Sequence, residues 1–520
     1  MPPRRVRVAG IIVAACVSAA QVSAQSVRDW RPAHRQTAPD AALTTVAART
    51  AAAAHMAART TAAAHVAART TAAAHVAART ATLEGAAPFW APQILGLQIN
   101  AIAQTLAPFR SPYSGSSSLV STGDHGVSHV YGVYLGAEPF TWGRNGEPRT
   151  TVQAYLDVEM ARGHGVSRAT GLAGVTNGDV LRAGSADLGS GPYVARAFVR
   201  LTRPLAGGRA LDTLSRGADQ LPGSTAATRL EITAGKIAAS DMFDVNRYAN
   251  TTRTQYMNWG LFQNTAWDFA ADTRGYTNGI AAAWITPRWS LRVGAFQMPI
   301  QANGNKFDGD LRRARGDNIE GTWSPGRGEQ DSHLPTLRLL GYVNRARMGR
   351  YAAAIAKGQA LGRNPSIVDD DAPGRTKYGW GVNIEQPITD DGETGAFVRG
   401  GWNDGANESF AFTEVDRHFS AGVQLSGAHW MRRDDRFAIA LLRHGIVAVH
   451  QTYLAAGGVG FLLGDGQLTY GPEQIVETFY RMQATAHLQV SPDLQIITNP
   501  GYNRDRGPAV VASLRVNLRY

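Results

Sequence analysis

The sequence is almost without cysteine, since Cys16 is the only one among 520 residues. A chain with a single thiol forms no internal disulfide and cannot build a metal site from several cysteines. Charged residues are also scarce, at 18%. Beyond the N-terminal segment there is no run of about 18 uncharged apolar residues, which argues against a membrane protein built from helices.

Enzyme motifs are missing as well. The chain contains no H-E-x-x-H zinc motif and no G-x-S-x-G nucleophile elbow. Gly457–Gly460 lacks the third glycine of a dinucleotide-binding turn, because Leu463 stands in its place. We therefore expect no enzymatic activity, no cofactor and no nucleic-acid partner.

The sequence leaves the question of a metal site open. His125 and His129 stand four residues apart in a Ser- and Gly-rich segment, where solvated loop residues are more common than metal ligands. The run Asp369–Asp371 has the oxygen chemistry for a hard cation such as Mn²⁺, although three acids in a loop are more often simply solvated.

The chain is basic, with a net charge of +11. Such an excess either serves solubility or attracts anions, lipopolysaccharide phosphates among them. The sequence alone leaves both interpretations open.

The first 24 residues have the features of a secretory signal sequence. Arginines precede the apolar run Val8–Ala20, which is too short to span a bilayer, and Val22–Ala24 supplies small residues for a signal peptidase. Val13–Cys16 offers an alternative, a lipid-anchored cysteine, although the apolar run continues past it. We expect residues 1–24 to be removed on export.

A ten-residue unit that begins VAART at Val46 repeats behind this segment. Alanine and arginine favour helix, but ten residues turn an ideal helix through about 1000°, which is roughly 80° short of three full turns. His55, His65 and His75 therefore wind around the axis and do not form a metal site on one helix. We interpret residues 25–88 as an alanine-rich, low-complexity extension to which we assign no function.

From Phe89 onward apolar residues recur at every second position, the period of a half-buried strand. The pattern is clearest in Ser513–Tyr520 and recurs in segments 152–160, 195–202, 377–385, 419–426 and 480–489. The polar faces carry charges of both signs, and backbone groups cannot stay unpaired in lipid. We therefore predict an all-β chain: a transmembrane antiparallel β-barrel of about 16 strands over residues 89–520, behind the N-terminal low-complexity extension.

Short turns and long connections alternate along this region. Thr286–Arg288, flanked by Trp284 and Trp289, and Ser491–Asp493 are predicted as tight turns, and paired tryptophans suit a membrane interface. The Gly- and Asp-rich segments predicted as extracellular or inward-folded loops are 161–192, 238–275, 302–333 and 453–473. A barrel of about 16 to 18 strands encloses an aqueous channel.

The polar faces of the strands are expected to line that channel. The basic residues placed there are Arg196, Arg200, Arg338, Arg399 and Arg481, and the acidic ones are Glu159, Glu231, Glu385 and Glu477. Guanidinium groups beside carboxylates offer fixed donors and acceptors to the hydroxyl groups of neutral solutes. A manganese pathway would instead need carboxylates to dominate, which requires acidic loops to fold into the channel.

Several stretches of the chain resemble, in order, the pattern of OprB-type carbohydrate-selective porins. They are Phe109–Gly115, Gly171–Gly178, Ala234–Trp259, Ala271–Tyr276, Tyr453–Gly466 and Asn499–Pro508. The resemblance covers residues 95–520. The sequences of these stretches are similar to family members described as high-affinity manganese porins. The alanine-rich extension departs from the family pattern.

The resemblance implies an outer-membrane barrel whose loops fold inward to narrow the channel. It also implies passive, solute-selective diffusion of carbohydrates into the periplasm, with Mn²⁺ uptake as the alternative. The implied partners are the solute, outer-membrane lipids and the outer-membrane assembly machinery, which reads a terminal aromatic such as Tyr520. A monomer and a homotrimer both remain open.

Such sugar channels are expected to narrow at aromatic, arginine and carboxylate side chains. The long middle loop carries residues of this chemistry: Asp241, Phe243, Asp244, Trp259, Phe262, Trp267, Asp268 and Phe269. The alternative is that the aromatic residues only pack this loop against the barrel wall.

Overall fold

The computed structural model describes residues 92–143, 147–180, 188–189, 191–205, 210–325 and 334–520. Within them, sixteen antiparallel strands close into a barrel and two short strands form a separate hairpin. The strands are β1 (Ile94–Leu106), β2 (Asp124–Trp142), β3 (Thr150–Gly163), β4 (Tyr193–Pro204), β5 (Leu211–Leu214), β6 (Gly223–Ala226), β7 (Arg229–Ile237), β8 (Thr277–Ile285), β9 (Trp289–Gln297), β10 (Arg315–Trp323), β11 (Thr336–Met348), β12 (Ala372–Thr389), β13 (Thr394–Asn403), β14 (Arg417–Ser426), β15 (Arg436–Gly445), β16 (Glu473–Gln483), β17 (Leu488–Thr498) and β18 (Ala509–Arg519). The helices are α1 (Trp259–Phe262), α2 (Tyr351–Ala360) and α3 (Ala448–Ala455), with 3₁₀ turns at Val166–Ala169, Ala239–Asp241, Ile367–Asp370, Asp390–Gly392, Gly427–Trp430 and Pro500–Tyr502. The predicted barrel is confirmed, while the predicted signal sequence and extension lie outside the described residues.

The barrel closes where β1 pairs with β18, with Gln98 opposite Arg519. Next to this pair, the Leu97 amide donates to the Tyr520 carbonyl at 3.0 Å, and the Tyr520 amide donates to the Leu97 carbonyl at 2.9 Å. Each barrel strand therefore has two hydrogen-bonded neighbours. A wall surrounded by lipid needs this closure, because no solvent is present there to pair an open edge.

The two faces of the wall differ as the dyad pattern predicts. In β12, Tyr378 and Trp380 are 51% and 50% exposed on the outside, whereas Lys377 is fully buried on the inside. In β14 the same alternation exposes Phe419 and buries Ser420. Because successive side chains of a strand point to opposite faces, this sequence pattern produces an apolar outside and a polar lumen.

The two ends of the barrel carry connections of different length. Eight connections lie at one end, and most of them are long: residues 107–123, 164–192, 238–276, 298–314, 349–371, 404–416, 446–472 and 499–508. The opposite end, named the short-turn end, carries turns such as 286–288, 390–393 and 484–487. It also carries the long connection 205–228, which contains the β5–β6 hairpin. The predicted turn at Thr286–Arg288 is confirmed, and the flanking rings of Trp284 and Trp289 lie 4.8 Å apart.

The predicted turn at Ser491–Asp493 is wrong, because these residues lie inside β17 and the turn is at 484–487. Pro492 is exposed on the outer face. The ladder with β16 passes from Phe479 opposite Asp493 to Met482 opposite Val490, on either side of the proline. Proline has no amide hydrogen for a ladder but is tolerated where local pairing is interrupted.

Two further segments differ from the prediction. The segment 302–333, predicted as a loop, contains β10, in which exposed Ile319 alternates with buried Asn318 and Glu320. Arg315, Asp317 and Gly321 lie on the outer face and hide this strand from a hydrophobicity pattern. His125 lies in β2 and not in a loop, and its Nδ1 is 3.1 Å from the Thr105 hydroxyl.

The lumen is largely filled by side chains and inward-folded connections. Phe243, Trp267 and Phe269 from the connection 238–276 form a buried cluster with Phe296 and Tyr342 of the wall. None of the described helices is long and apolar enough to cross a membrane.

Deletion of residues 25–88 is expected to leave an assembled, conducting barrel, because every barrel strand begins at or after Ile94. Heat-modifiable migration of the outer-membrane protein and single-channel conductance would test this expectation. An assembled barrel that no longer conducts would show that the extension is part of the pore.

Candidate functional site

The connection 238–276 between β7 and β8 folds into the barrel and is named the inner loop. Its aromatic residues pack against one another and the wall, with the Phe243 ring 6.2 Å from that of Trp267 and 6.0 Å from that of Phe296. Helix α1 begins after Asn258, whose side chain accepts a hydrogen bond from the Gly260 amide. The inner loop is therefore a packed part of the interior.

One anchor of the inner loop is Arg399 on β13, which is fully buried. Its guanidinium donates to the carbonyls of Leu261 at 2.9 Å and Asp244 at 2.8 Å, and its Nε lies 3.1 Å from the Asp244 carboxylate. The Asp244 amide donates to Glu320 at 2.7 Å, and the Asn383 side chain donates to the Asp244 carboxylate at 2.8 Å. Three strands thus hold one turn of the loop.

A second anchor lies across the barrel. The amides of Met257 and Asn258 donate to the Glu477 carboxylate of β16 at 2.5 and 3.0 Å. Arg515 of β18 donates to the Thr252 carbonyl at 2.5 Å. Charged side chains of the wall therefore satisfy backbone groups of an irregular segment that water does not reach.

The third anchor is Asp268, near the end of the loop. Its carboxylate accepts from the amides of Phe410 at 2.9 Å and Ala411 at 2.7 Å. The ammonium of Lys377 on β12 lies 3.2 Å away. This contact joins the inner loop to the connection 404–416.

A cavity of about 600 Å³ remains open beside the inner loop. Its charged lining comprises the arginines Arg196, Arg216, Arg253, Arg274 and Arg519 and the carboxylates Glu159, Asp179, Asp219 and Asp241. Its aromatic lining comprises Tyr134, Tyr193, Trp259, Phe262 and Tyr276. The lining includes His487 and Tyr520, so the cavity reaches the short-turn end.

Arg253, at the tip of the inner loop, joins several of these groups. It lies 2.8 Å from Glu159 and 3.1 Å from Asp179, and it donates to the Tyr134 hydroxyl at 3.0 Å. The Tyr276 hydroxyl donates to Glu159 at 2.8 Å. Burial disfavours the charged form, but Asp179 and Glu159 outweigh it and hold the pKa of the Arg253 guanidinium well above its usual value.

Arg196 of β4 forms a second charged group on the same cavity. Its Nε lies 2.7 Å from Asp241 of the inner loop and 3.5 Å from Asp219, and another guanidinium nitrogen lies 3.3 Å from Asp157. Burial raises the pKa of the Asp219 carboxyl, and the nearby Arg196 guanidinium offsets only part of this rise. Arg253 and Arg196 are thus each paired with more than one carboxylate, and both side chains line the cavity.

Trp259 supplies an aromatic face to the cavity. Its ring stacks on Phe412 at 4.6 Å with an angle of 18° between the planes, and it lies 5.1 Å from the ring of Phe262. The side chain is only partly buried. A rigid aromatic face can pack against the C–H face of a polyhydroxylated ring. Arginines and carboxylates beside that face can hydrogen-bond the hydroxyl groups of the same ring.

Two further cavities open towards the short-turn end. One, of about 870 Å³, is lined by Arg200, Glu231 and Glu138 and by residues of the β5–β6 hairpin. The other, of about 430 Å³, is lined by Arg481 and Arg519. The Arg216 side chain, from the turn of the hairpin, donates to the Leu95 carbonyl at 2.8 Å.

The structure divides the sequence-predicted residues into two groups. Those that line a cavity are Glu159, Arg196, Arg200, Glu231, Asp241, Trp259, Phe262 and Arg481. Those that are buried in the packing of the inner loop against the wall are Phe243, Asp244, Trp267, Asp268, Phe269, Arg338, Glu385, Arg399 and Glu477. Glu385, Arg399 and Glu477 of the second group point inward and pair with backbone groups of the inner loop, so we propose that they anchor this loop.

Sequence reasoning missed Arg253, Asp179, Arg274 and the tyrosines 134, 193 and 276 of the cavity. Arg253 and Asp179 stand in long connections without any periodicity, so no pattern assigned them a direction. Tyr134 points inward although its neighbours on β2 make its own face look apolar. Only its place next to Val133 could have indicated the inward direction, because neighbouring side chains of a strand point to opposite faces and Val133 is exposed.

The closed sixteen-strand barrel, its apolar outside and its narrowed polar lumen define an outer-membrane porin. The sequence profile described as "Carbohydrate-selective porin, OprB family" matches residues 150–520. The chain belongs to this family.

The solved structure of Pseudomonas putida OprB at high pH supports the fold. It aligns with a TM-score of 0.60 and 16% identity, over 82% of this chain and 94% of that chain. The channel DcaP of Acinetobacter baumannii aligns with a TM-score of 0.43 and 9% identity, over 82% and 96%. Salmonella typhi OmpF aligns with a TM-score of 0.42 and 10% identity, over 82% and 97%. No curated protein sequence matches the chain.

The described part of the chain contains no group of three or more His, Cys, Asp or Glu side chains arranged to hold a metal ion. The acidic run Asp369–Asp371 lies among cations, with Asp370 2.6 Å from Arg375 and Asp369 2.7 Å from Arg363. Asp371 lies 3.9 Å from Arg347.

Replacing Arg399 by Ala is expected to loosen the inner loop. Removing one partner of a buried pair costs about 3–5 kcal/mol, because the Asp244 carboxylate stays buried without its cation. Single-channel recordings should show larger and noisier conductance, and the barrel should lose its heat-resistant form at lower temperature.

The control is Arg443→Ala, which removes an exposed arginine of β15. If Arg399→Ala behaves like this control, Arg399 does not anchor the loop.

Proposed function

We propose that this porin mediates passive, solute-selective diffusion of carbohydrates into the periplasm. The observation that carries the proposal is the lining of the 600 Å³ cavity, which combines the Trp259 side chain with the paired groups around Arg253 and Arg196. Sugars present C–H faces and many hydroxyl groups, and this lining offers a partner for each.

The pairing of charges favours a neutral solute over a cation. Glu159 and Asp179 already bind Arg253, and Asp219 and Asp241 already lie beside Arg196. A divalent cation would have to displace an arginine to gain carboxylate ligands. A hydroxyl group can donate to a carboxylate oxygen of such a pair without displacing the arginine, because a carboxylate accepts several hydrogen bonds.

Uptake of Mn²⁺ stays a prediction from the sequence resemblance to manganese porins, because no observation on the described residues favours it. The family and the channel fold likewise point to transport and not to catalysis.

The lengths of the connections support an orientation of the barrel in the membrane. In bacterial outer-membrane barrels the periplasmic turns are short and the extracellular loops long. We therefore place the end with connections such as 349–371 and 446–472 outside the cell and the short-turn end in the periplasm.

Replacing Trp259 by Ala is expected to weaken block of single-channel current by oligosaccharides by about two- to twelvefold, since one aromatic contact contributes roughly 0.5–1.5 kcal/mol. The measurement is the sugar concentration that halves the current in planar bilayers. The control is Trp380→Ala on the outer face of β12, for which the half-blocking sugar concentration should equal that of the wild type.

Two results would reject the carbohydrate proposal. The first is an unchanged half-blocking concentration in Trp259→Ala. The second is a wild type that is not blocked by sugars but passes Mn²⁺ readily.

The orientation can be tested with single cysteines, since the natural chain has only Cys16. Leu361 in the connection 349–371 is 62% exposed, and Met431 in the β14–β15 turn is 95% exposed. In intact cells a membrane-impermeant maleimide should label Leu361→Cys and not Met431→Cys. Labelling of Met431→Cys and not of Leu361→Cys would contradict the proposed orientation.

A further inference from the structure

A row of polar side chains crosses the outer face of six adjacent strands near the long-loop end. Its members are Lys236, Asn278, Gln297, Arg315, Arg345 and Thr376, and they are named the outer-edge row. Lys236 lies opposite Asn278, Gln297 opposite Arg315, Arg315 opposite Arg345, and Arg345 opposite Thr376. The Asn278 side chain donates to Gln297 at 3.0 Å, which completes the row.

The rows that follow towards the short-turn end are apolar apart from one acid. The next row is Ala234, Ile280, Ala295, Asp317, Val343 and Tyr378. The one after it is Ile232, Ala282, Val293, Ile319, Gly341 and Trp380. The tryptophans Trp284, Trp289 and Trp323 mark the far edge of this face. The nine residues from Arg315 to Trp323 match the length that a strand needs to cross the hydrocarbon layer.

The charges of the outer-edge row are not balanced within it. Arg315 and Arg345 are direct cross-strand neighbours, and like charges in that position repel each other. Asp317 serves both: its carboxylate lies 2.8 Å from Arg315 and 3.8 Å from Arg345. One carboxylate thus offsets two guanidinium groups, and both remain partly exposed.

The neighbouring connections also bring charges to this edge. Arg347 lies two residues after Arg345 on the same face of β11, and its guanidinium is 3.9 Å from Asp371. In the connection 298–314, Arg313 lies 3.5 Å from both Asp308 and Asp310. Arg347 and Arg313 each have an acid nearby, whereas Arg315 and Arg345 of the outer-edge row share the single acid Asp317.

We propose that the outer-edge row binds the phosphate groups of a phosphorylated lipid headgroup in the membrane leaflet at the long-loop end. The row lies at the boundary where an apolar face meets polar loops, which is where the phosphates of a lipid lie when its acyl chains cover that face. Guanidinium forks bind phosphate bidentately, and Asn278, Gln297 and Thr376 add neutral donors for the remaining headgroup oxygens. The proposal rests on the outer-membrane orientation given above, which makes this lipid one of the outer leaflet.

The test compares the double variant Arg315→Gln, Arg345→Gln with a control that loses the same charge at the short-turn end, Arg203→Gln, Arg288→Gln. Both control arginines are exposed. Native mass spectrometry of the detergent-solubilised full chain would measure binding of bisphosphorylated lipid A and of lipid A without phosphates. The proposal expects the first variant to bind bisphosphorylated lipid A about tenfold more weakly, and the control to stay within about twofold of the wild type.

Equal weakening in both variants, or none in Arg315→Gln, Arg345→Gln, would overturn the proposal. Full displacement of the lipid by millimolar inorganic phosphate would also overturn it, because the site would then recognise a free anion. If the double variant does not assemble, Arg345→Gln alone should weaken binding and Arg345→Lys should restore part of it. Sugar block should be unchanged in every assembled variant, which separates this test from that of the proposed transport function.

Discussion

The architecture depends on pairing the backbone of the inner loop with charged side chains of the wall. An irregular segment at membrane depth cannot satisfy its own amides and carbonyls, and unpaired groups away from water cost several kcal/mol in stability. Arg399 and Arg515 donate to carbonyls of the loop, and Glu477 accepts from its amides. These contacts fix the loop in the lumen, and the loop then determines how much of the channel stays open.

The same loop sets the chemistry of the open space. Its residue Arg253 binds Glu159 of β3, and its residue Asp241 binds Arg196 of the neighbouring strand β4. Trp259 reaches the cavity because α1 begins directly after Asn258, whose amide is held by Glu477. Anchoring and selectivity are therefore coupled, and a change that frees the loop would also remove the aromatic face.

The sequence was sufficient to predict the barrel and the direction of most strand residues. Period two placed Trp380 outside and Lys377 inside, because in a strand the direction of a side chain follows from its position alone. It misplaced the turn near Pro492, since a proline reads as a break although a strand can hold one where pairing is interrupted. It could not show that the inner loop covers Arg399 while leaving Arg196 open, because these contacts join residues far apart in the chain and no local pattern encodes them.

Inward direction and solvent contact are therefore separate properties in this barrel. A count of charges on the inner faces overestimates the charge that a solute meets, because residues such as Arg399 and Glu477 are used by the inner loop. What remains beside the cavity is a set of arginine–carboxylate pairs around Arg253 and Arg196, with nearly balanced charge. Pairs of this kind keep their hydrogen-bonding capacity while offering little net attraction to an ion. Excess positive charge lies instead on the outer face, at Arg315 and Arg345, where it meets the membrane and not the solute.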